Sequence, residues 1–215
     1  QKKAKLSNFI LKYYAPTSVG YGFHFKAYDS NIYLPIIKKE LKKKSETKKR
    51  YFVVYLPAFE DKKIISVLTK IYKTNWVVFS KQTKEKYRYG NIIVRPISRN
   101  SFNKKLINCS GVFCGAGFET PSEALYLKKK LLVIPMKNQY EQKCNAESLK
   151  KMGVPVIYDL SYDNVKIIND WIKSEQIINV DYSESPKKVI NKMLIDYIKK
   201  IYTEQLIYKF NTDLK

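Results

Sequence analysis

The chain has 215 residues, 45% of them hydrophobic, and its 41 Lys and Arg against 19 Asp and Glu give a formal net charge of +22. This hydrophobic content excludes a disordered chain, and folding at this length removes roughly 70% of the unfolded surface from water. No apolar run approaches the roughly 18 residues that span a bilayer. The three Cys residues have no metal-like spacing, which excludes a disulfide framework and indicates a reducing, cytoplasmic compartment.

The first 50 residues show little regular pattern. Residues 1–30 are expected to be the remnant of a preceding domain, with one strand, SVGYGFHF, over residues 18–25. Residues 31–50 are expected to form a turn, a short helix after Pro35 and a basic linker, since eight of the residues 38–50 are Lys or Arg. Because residue 1 is Gln rather than Met, we also expect further chain upstream.

From Tyr51 onward, strand-like and helix-like patterns alternate. Runs of β-branched and aromatic residues predict strands, and apolar residues at helical spacing predict helices. The predicted strands are 51–56, 76–80, 91–96, 111–114, 131–135 and 154–158, and the predicted helices are 61–72, 100–108, 120–127, 140–152, 168–172 and 186–208. Such alternation implies parallel strands joined by right-handed crossovers. Residues 51–208 are therefore predicted to form one α/β, doubly wound, Rossmann-like domain with a mostly parallel sheet, and residues 209–215 a tail.

Ligands of such sheets bind beyond the carboxyl ends of the strands, which draws attention to the glycine-containing loop at residues 114–118. Small residues followed by a helix N-terminus form a phosphate cradle, although a plain strand-to-helix turn has the same pattern. Glu123, about one turn into the helix, can accept hydrogen bonds from both hydroxyls of a ribose. Glu141 and Gln142 can bind vicinal sugar hydroxyls, or they form an ordinary polar first turn of a helix.

Residues 111–146, GVFCGAGFETPSEALYLKKKLLVIPMKNQYEQKCNA, resemble the donor-binding, C-terminal half of GT-B glycosyltransferases. The similarity is to the superfamily of the peptidoglycan lipid-linked N-acetylglucosaminyltransferase and the UDP-glucuronosyltransferases. The matching features are a small-residue loop, a helix bearing Glu123, a strand ending at Pro135, an acid–Gln pair and Asn145-Ala146. The resemblance covers residues 51–208 and is most specific from 111 to 153.

The resemblance implies a role for each matching residue. Glu123 would hold the ribose, backbone amides of residues 117–120 the diphosphate, Glu141 and Gln142 the sugar hydroxyls, and the loop 96–98 the base. The implied nucleotide-sugar contacts are Pro96, Ile97, Gly115, Ala116, Gly117, Phe118, Glu119, Thr120, Glu123, Glu141 and Gln142. Three features depart from the family. Gly115 stands where many relatives have a cationic His or Arg, residues 57–60 (PAFE) stand where many have a glycine-rich loop after the first strand, and Glu119 is an unexpected carboxylate near the diphosphate.

The resemblance implies an enzyme that transfers a sugar from a nucleotide sugar, expected to be UDP-linked, to an acceptor. Inversion of the anomeric centre is expected, with no metal or other cofactor. In this superfamily the acceptor site and the catalytic base belong to the N-terminal domain, so the chain alone is expected to bind nucleotide and to transfer little sugar. His24, the sole histidine, is the candidate base, with a structural role as the alternative.

Two other functions remain open. A GT-B-type nucleotide-sugar epimerase or hydrolase shares the Glu-bearing helix, but the chain offers no convincing acid–base set for it. The net charge could attract nucleic acid, as in a basic nucleic-acid-binding domain, or anionic lipid or a phosphorylated small molecule. Alternatively, it reflects a general excess of Lys in the composition. Because the basic residues cluster before a strand instead of alternating with aromatics, no nucleic-acid partner is expected. A lipid-linked or glycan acceptor is expected instead, with peripheral contact of the linker and Tyr13-Tyr14 at the inner face of the membrane.

Overall fold

A computed structural model of the protein describes residues 19–42 and 50–213. The chain divides into two compact units, one made of Gln1–Ile36 with Tyr182–Lys215 and the other of Ile37–Asp181. This division differs from the predicted boundaries at residues 31, 51 and 208, because the sheet-bearing unit begins before Tyr51 and ends before the long C-terminal helix. The predicted membrane contacts of Tyr13-Tyr14 and of residues 43–49 lie outside the described residues.

In the unit formed by the two ends of the chain, the described residues form two short strands and one long helix. Strands β1 (Gly22–Phe23) and β2 (Ile32–Tyr33) pair in parallel, so the predicted strand 18–25 is reduced to two residues with a partner that the pattern did not reveal. The helix Pro186–Asp213 begins where the sequence predicts it. Among the described residues, no helix combines the length and the apolar character that crossing a membrane requires.

Hydrogen bonds join the distant segments of this unit. The Tyr182 hydroxyl donates to the Phe25 carbonyl oxygen at 2.8 Å, and both residues are buried. The Tyr33 hydroxyl donates to the Asp196 carboxylate at 3.0 Å. These contacts explain why the residues from Tyr182 onward belong to one unit with the N-terminal segment. The residues they join are more than 150 positions apart, and sequence patterns do not predict contacts over such separations.

The second unit contains a six-stranded sheet in the order β5-β6-β4-β3-β7-β8. Its strands are β3 (Phe52–Tyr55), β4 (Trp76–Ser80), β5 (Tyr87–Tyr89), β6 (Ile92–Pro96), β7 (Gly111–Gly115) and β8 (Lys130–Ile134). Every pair is parallel except β5 with β6. The prediction of a doubly wound, mostly parallel sheet is therefore confirmed. The predicted strand 154–158 is reduced to a parallel bridge between Val133 and Val156, and its Pro155 has no N–H with which to extend a ladder.

Helices cover both faces of this sheet. They are α1 (Asp61–Leu68), α2 (Arg99–Asn108), α3 (Glu119–Tyr126), α4 (Tyr140–Lys151) and α5 (Val165–Lys173), and a short 3-10 helix, Lys39–Lys42, precedes the sheet. The central strands are buried on both faces, with Val53, Val54 and Phe113 completely inaccessible, as a sheet between two helical layers requires.

The order of the strands reverses between β3 and β7. From β3 the chain continues to β4 and then to β6 on one side, and it returns to β7 and β8 on the other. Ligands of open α/β sheets bind at the carboxyl ends of the strands that flank such a reversal. Because Tyr55 pairs with Cys114, Gly115 lies one residue beyond the end of β3, and the loop that follows Gly115 sits at the reversal.

Candidate functional site

The loop at residues 115–118 is fixed from both neighbouring elements. The Ala116 N–H donates to the Ile134 carbonyl at the end of β8, with an N–O distance of 3.3 Å. The Asn145 side chain on α4 donates through Nδ2 to the Ala116 carbonyl at 3.1 Å. Ala116 and Asn145 are both buried. The loop is therefore held in one conformation by the body of the unit.

Beside this rigid loop there is open space. A Cβ atom built on Gly117 would meet no atom within 4 Å. The first turn of α3 begins at Glu119, and the side chain of its N-cap residue, Phe118, makes no capping hydrogen bond. Backbone N–H groups at a helix start attract anions through their hydrogen bonds and through the helix dipole. The geometry thus offers an anion both donors and room next to Gly117.

Glu123 is buried one turn into α3, with 3% of its surface exposed. Its Oε1 lies 3.2 Å from Lys38 Nζ and has no well-aligned hydrogen-bond donor among the described residues. Burial raises the pKa of Glu123, against the opposing effect of the Lys38 ammonium. A buried carboxylate oxygen without a full set of donors is an unusual feature that calls for an explanation, and hydroxyl donors from a ligand would satisfy it.

Lys38 is a site residue that the sequence analysis missed, because it appeared there only as one of eight clustered basic residues. Its ammonium pairs with the Glu119 carboxylate as well as with Glu123. Burial alone would lower the pKa of Lys38, but the two carboxylates outweigh that effect and raise it. Burial also raises the pKa of Tyr55, and the charge of Glu119 adds to that shift. Glu119 itself opens α3, directly after the loop at the strand reversal.

Gln142 reaches the same end of the sheet from α4. Its Oε1 accepts a hydrogen bond from the Met136 N–H at 3.0 Å, and its Nε2 donates to Gln139 Oε1 at 2.9 Å. A Cβ atom on Gly115 would lie 3.6 Å from Gln142 Oε1, so Gln142 is adjacent to the loop. The neighbouring Glu141 is exposed in the first turn of α4.

The structure places Pro96 and Ile97 on another strand of the same sheet, and His24 in the other unit. Pro96 ends β6 and Ile97 is exposed after it, at the same edge of the sheet but two strands away from β3. His24 belongs to the other unit, where its ring stacks edge-on against Phe25 and Tyr28 with centroids 5.3 and 5.1 Å apart. Burial lowers the pKa of His24. Within the part of the chain that is described, no three His, Cys, Asp or Glu residues converge closely enough to hold a metal ion.

Comparisons with known proteins identify the family of the chain. A family model described as glycosyl transferase family 1 matches residues 7–175 of the chain. No curated protein matches the sequence.

Three solved structures similar to this chain are glycosyltransferases with low sequence identity. The spinosyn forosaminyltransferase SpnP is 14% identical over 68% of this chain and 43% of its own, with a TM-score of 0.46. SnogD from Streptomyces nogalater is 12% identical over 73% and 41% of the two chains, with a TM-score of 0.47. VinC, in complex with DTDP, is 13% identical over 65% and 37%, with a TM-score of 0.46. The present chain therefore spans less than half the length of each of these three proteins.

Proposed function

This chain belongs to glycosyl transferase family 1, and we propose that it binds a nucleotide sugar and takes part in transferring the sugar to an acceptor. The observation that carries the proposal is the pairing of an uncapped helix start beside Gly117 with a buried carboxylate, Glu123, one turn further along α3. A nucleoside diphosphate presents anionic oxygens next to ribose hydroxyls, which are the two groups that this pairing is suited to receive.

The diphosphate would occupy the open space beside Gly117. Backbone N–H groups of residues 117–120 would donate to its oxygens, and the dipole of α3 would favour its charge. Because the loop is held by Asn145 and by β8, these donors are positioned before the ligand arrives. Pre-positioned donors cost little reorganisation when charge develops on a leaving group.

The ribose hydroxyls would donate to Glu123. The carboxylate is already buried, so the free energy of removing it from water is spent when the protein folds and not when the ligand binds. A charge-assisted hydrogen bond to it contributes roughly 1.5–3 kcal/mol. Exposed Glu141 would accept from sugar hydroxyls, while Gln142 would position the adjacent loop. The loop at Pro96 and Ile97, two strands away, would line the base.

The chemistry would be a direct displacement at the anomeric carbon. An acceptor hydroxyl would lose its proton to a general base as its oxygen forms the new bond to that carbon. The bond to the diphosphate oxygen would break at the same time, and its electron pair would leave with the diphosphate. Helix-terminal N–H groups would stabilise the departing charge, with inversion at the carbon. We propose that the donor is UDP-linked and that the acceptor is lipid-linked or a glycan. We also propose that the protein acts in the cytoplasm, at the inner face of a membrane.

Calorimetric titration tests the proposal. We expect the protein to bind UDP, and DTDP is titrated as the alternative nucleotide. We expect no binding of duplex DNA or single-stranded RNA. Glu123→Ala should weaken UDP binding by about one to two orders of magnitude, and Glu123→Gln, which keeps the shape and one acceptor, should lose less. Glu175→Ala, at an exposed carboxylate, is the matched control and should bind as the wild type does.

Melting curves accompany each titration, because Glu123 is buried and its loss can disturb folding. A protein that binds nucleic acid and neither nucleotide contradicts the proposal and favours the basic nucleic-acid-binding alternative. Unchanged UDP affinity in a folded Glu123→Ala variant removes the ribose contact.

A further inference from the structure

The proposed diphosphate position lies among charges that oppose it. Glu119 opens α3 and Glu123 lies one turn further on, so two carboxylates face one ammonium, that of Lys38. Residues 111–127 contain no Lys, Arg or His, so the loop and helix supply no cationic side chain of their own. A nucleoside diphosphate carries about two to three negative charges. It would be repelled by this cluster unless the pairing of Lys38 changes.

The three members of the cluster differ in how freely they can move. The Glu119 side chain is 68% exposed, that of Lys38 is 37% exposed, and that of Glu123 is 5% exposed. An exposed ion pair contributes little to stability, so releasing Glu119 into water costs little. Glu123 cannot leave without a large change in packing. The Glu119–Lys38 contact is therefore the one that a ligand can break.

We propose that Lys38 is the cation that binds the diphosphate, and that Glu119 is the counter-ion that occupies Lys38 when no nucleotide is present. This inference rests on the proposed function and adds a binding residue and a competing group to it. When the diphosphate binds, its oxygens replace the Glu119 carboxylate on the ammonium, and Glu119 turns to solvent. Glu123 stays in place, where it meets the ribose.

The arrangement predicts opposite effects of two substitutions on the same ligand. Glu119→Gln removes the competitor and one repulsive charge, so UDP should bind about twofold to fivefold more tightly. Lys38→Met removes the cation, so UDP should bind about tenfold more weakly. Glu119→Gln should not alter the affinity for uridine, which has the ribose and the base but no phosphate. Lys39→Met, an exposed lysine in the adjoining 3-10 helix, is the matched control and should bind both ligands normally.

Because Lys38→Met leaves the buried Glu123 charge unpaired, that variant can lose stability. The double variant Lys38→Met/Glu123→Gln leaves no buried charge, and it is compared with Glu123→Gln alone. The same tenfold loss of UDP affinity is expected in that comparison.

The titrations separate the two levels of the proposal. A wild-type protein that binds neither UDP nor DTDP overturns the proposed function. A wild-type protein that binds UDP, together with a Glu119→Gln variant whose UDP affinity is unchanged or weaker, overturns the role of Lys38 and Glu119 alone. Equal losses for UDP and uridine in the double variant, relative to Glu123→Gln alone, also overturn it, since they indicate general disruption of the site.

Discussion

The side-chain amide of Asn145 lies 3.1 Å from the carbonyl oxygen of Ala116, so that α4 holds the loop after β7 through one buried hydrogen bond. The two residues are 29 positions apart in the chain. This bond makes the position of the loop depend on the packing of α4, and it connects the stability of the sheet-bearing unit to the shape of the proposed diphosphate site.

Asn145→Ala should lower both stability and nucleotide affinity. The substitution leaves the buried Ala116 carbonyl without this donor, which costs about 1–3 kcal/mol in the free energy of unfolding. Urea denaturation measures that loss, and calorimetry measures the weaker UDP binding. Asn179→Ala, at an exposed position, is the control. Superimposable denaturation curves for wild type and Asn145→Ala would contradict the structural role of the bond.

Gly117 and Gly111 should respond oppositely to the addition of a methyl group. A Cβ at Gly117 enters open space, whereas a Cβ at Gly111 would lie 2.8 Å from the Phe52 ring and 3.0 Å from Lys130 Cβ. Gly117→Ala should therefore keep the wild-type melting temperature and lose UDP affinity, because the methyl group occupies the place of a phosphate oxygen. Gly111→Ala should lose about 1–3 kcal/mol of stability through overpacking. Thermal melts measure the stability of both variants, and UDP titrations measure their affinity. A larger loss of melting temperature in Gly117→Ala than in Gly111→Ala would refute this account.

The ionisation of Glu123 should make stability depend on pH. Burial raises the pKa of Glu123 above its ordinary value of 4.5, so the folded protein holds this proton more tightly than the unfolded chain does. The stability that the group contributes is fully present below pH 4.5 and is lost as the pH rises through the folded pKa. Glu123→Gln cannot ionise, so its melting temperature relative to the wild type should increase from pH 4 to pH 7. A difference that stays constant over this range would show that burial does not perturb the carboxyl.

The three cysteines should differ sharply in reactivity. Cys144 is exposed on α4, whereas Cys109 and Cys114 are buried. Burial raises the pKa of Cys109 to about 12 and raises that of Cys114 as well, so neither forms the thiolate that reacts with disulfide reagents. Titration of the native protein with an aromatic disulfide should release one equivalent rapidly, and denaturant should release the other two. Rapid release of two or more equivalents from the native protein would place a second cysteine at the surface.

The strand–loop–helix segment at β7 and α3 was predictable because its signals are local. Gly111–Gly115 is apolar, the glycines follow directly, and Pro121 stands in the first turn of the helix, where proline is favoured. The alternation of such segments was enough to predict a parallel, doubly wound sheet, and the family model supports the resemblance that the same residues suggested.

The missed features depend on contacts between distant residues. The burial of Glu123 requires Lys38, which lies 85 positions earlier in the chain and carries no signal that distinguishes it from its basic neighbours. Strand β5 consists of three exposed residues, Tyr-Arg-Tyr. It lies at the edge of the sheet and buries no face, so its sequence lacks the apolar pattern that predicts a strand and resembles a loop. The return of the C-terminal segment to the N-terminal one is marked by tyrosine hydroxyls such as those of Tyr182 and Tyr33, which no periodicity reveals.

The division of the chain into a continuous unit and a discontinuous one has a consequence for synthesis on the ribosome. Ile37–Asp181 is complete as soon as Asp181 has left the exit tunnel, so the sheet can form while the rest is still being made. In the other unit β1 and β2 pair with each other, but Phe25 and Tyr33 gain their hydrogen bonds with Tyr182 and Asp196 only after those later residues have been made. Strands β1 and β2 precede the sheet in the chain, yet they are thus among the last of the described elements to reach all their native contacts. During that interval they are a part of the nascent chain that chaperones and proteases can reach.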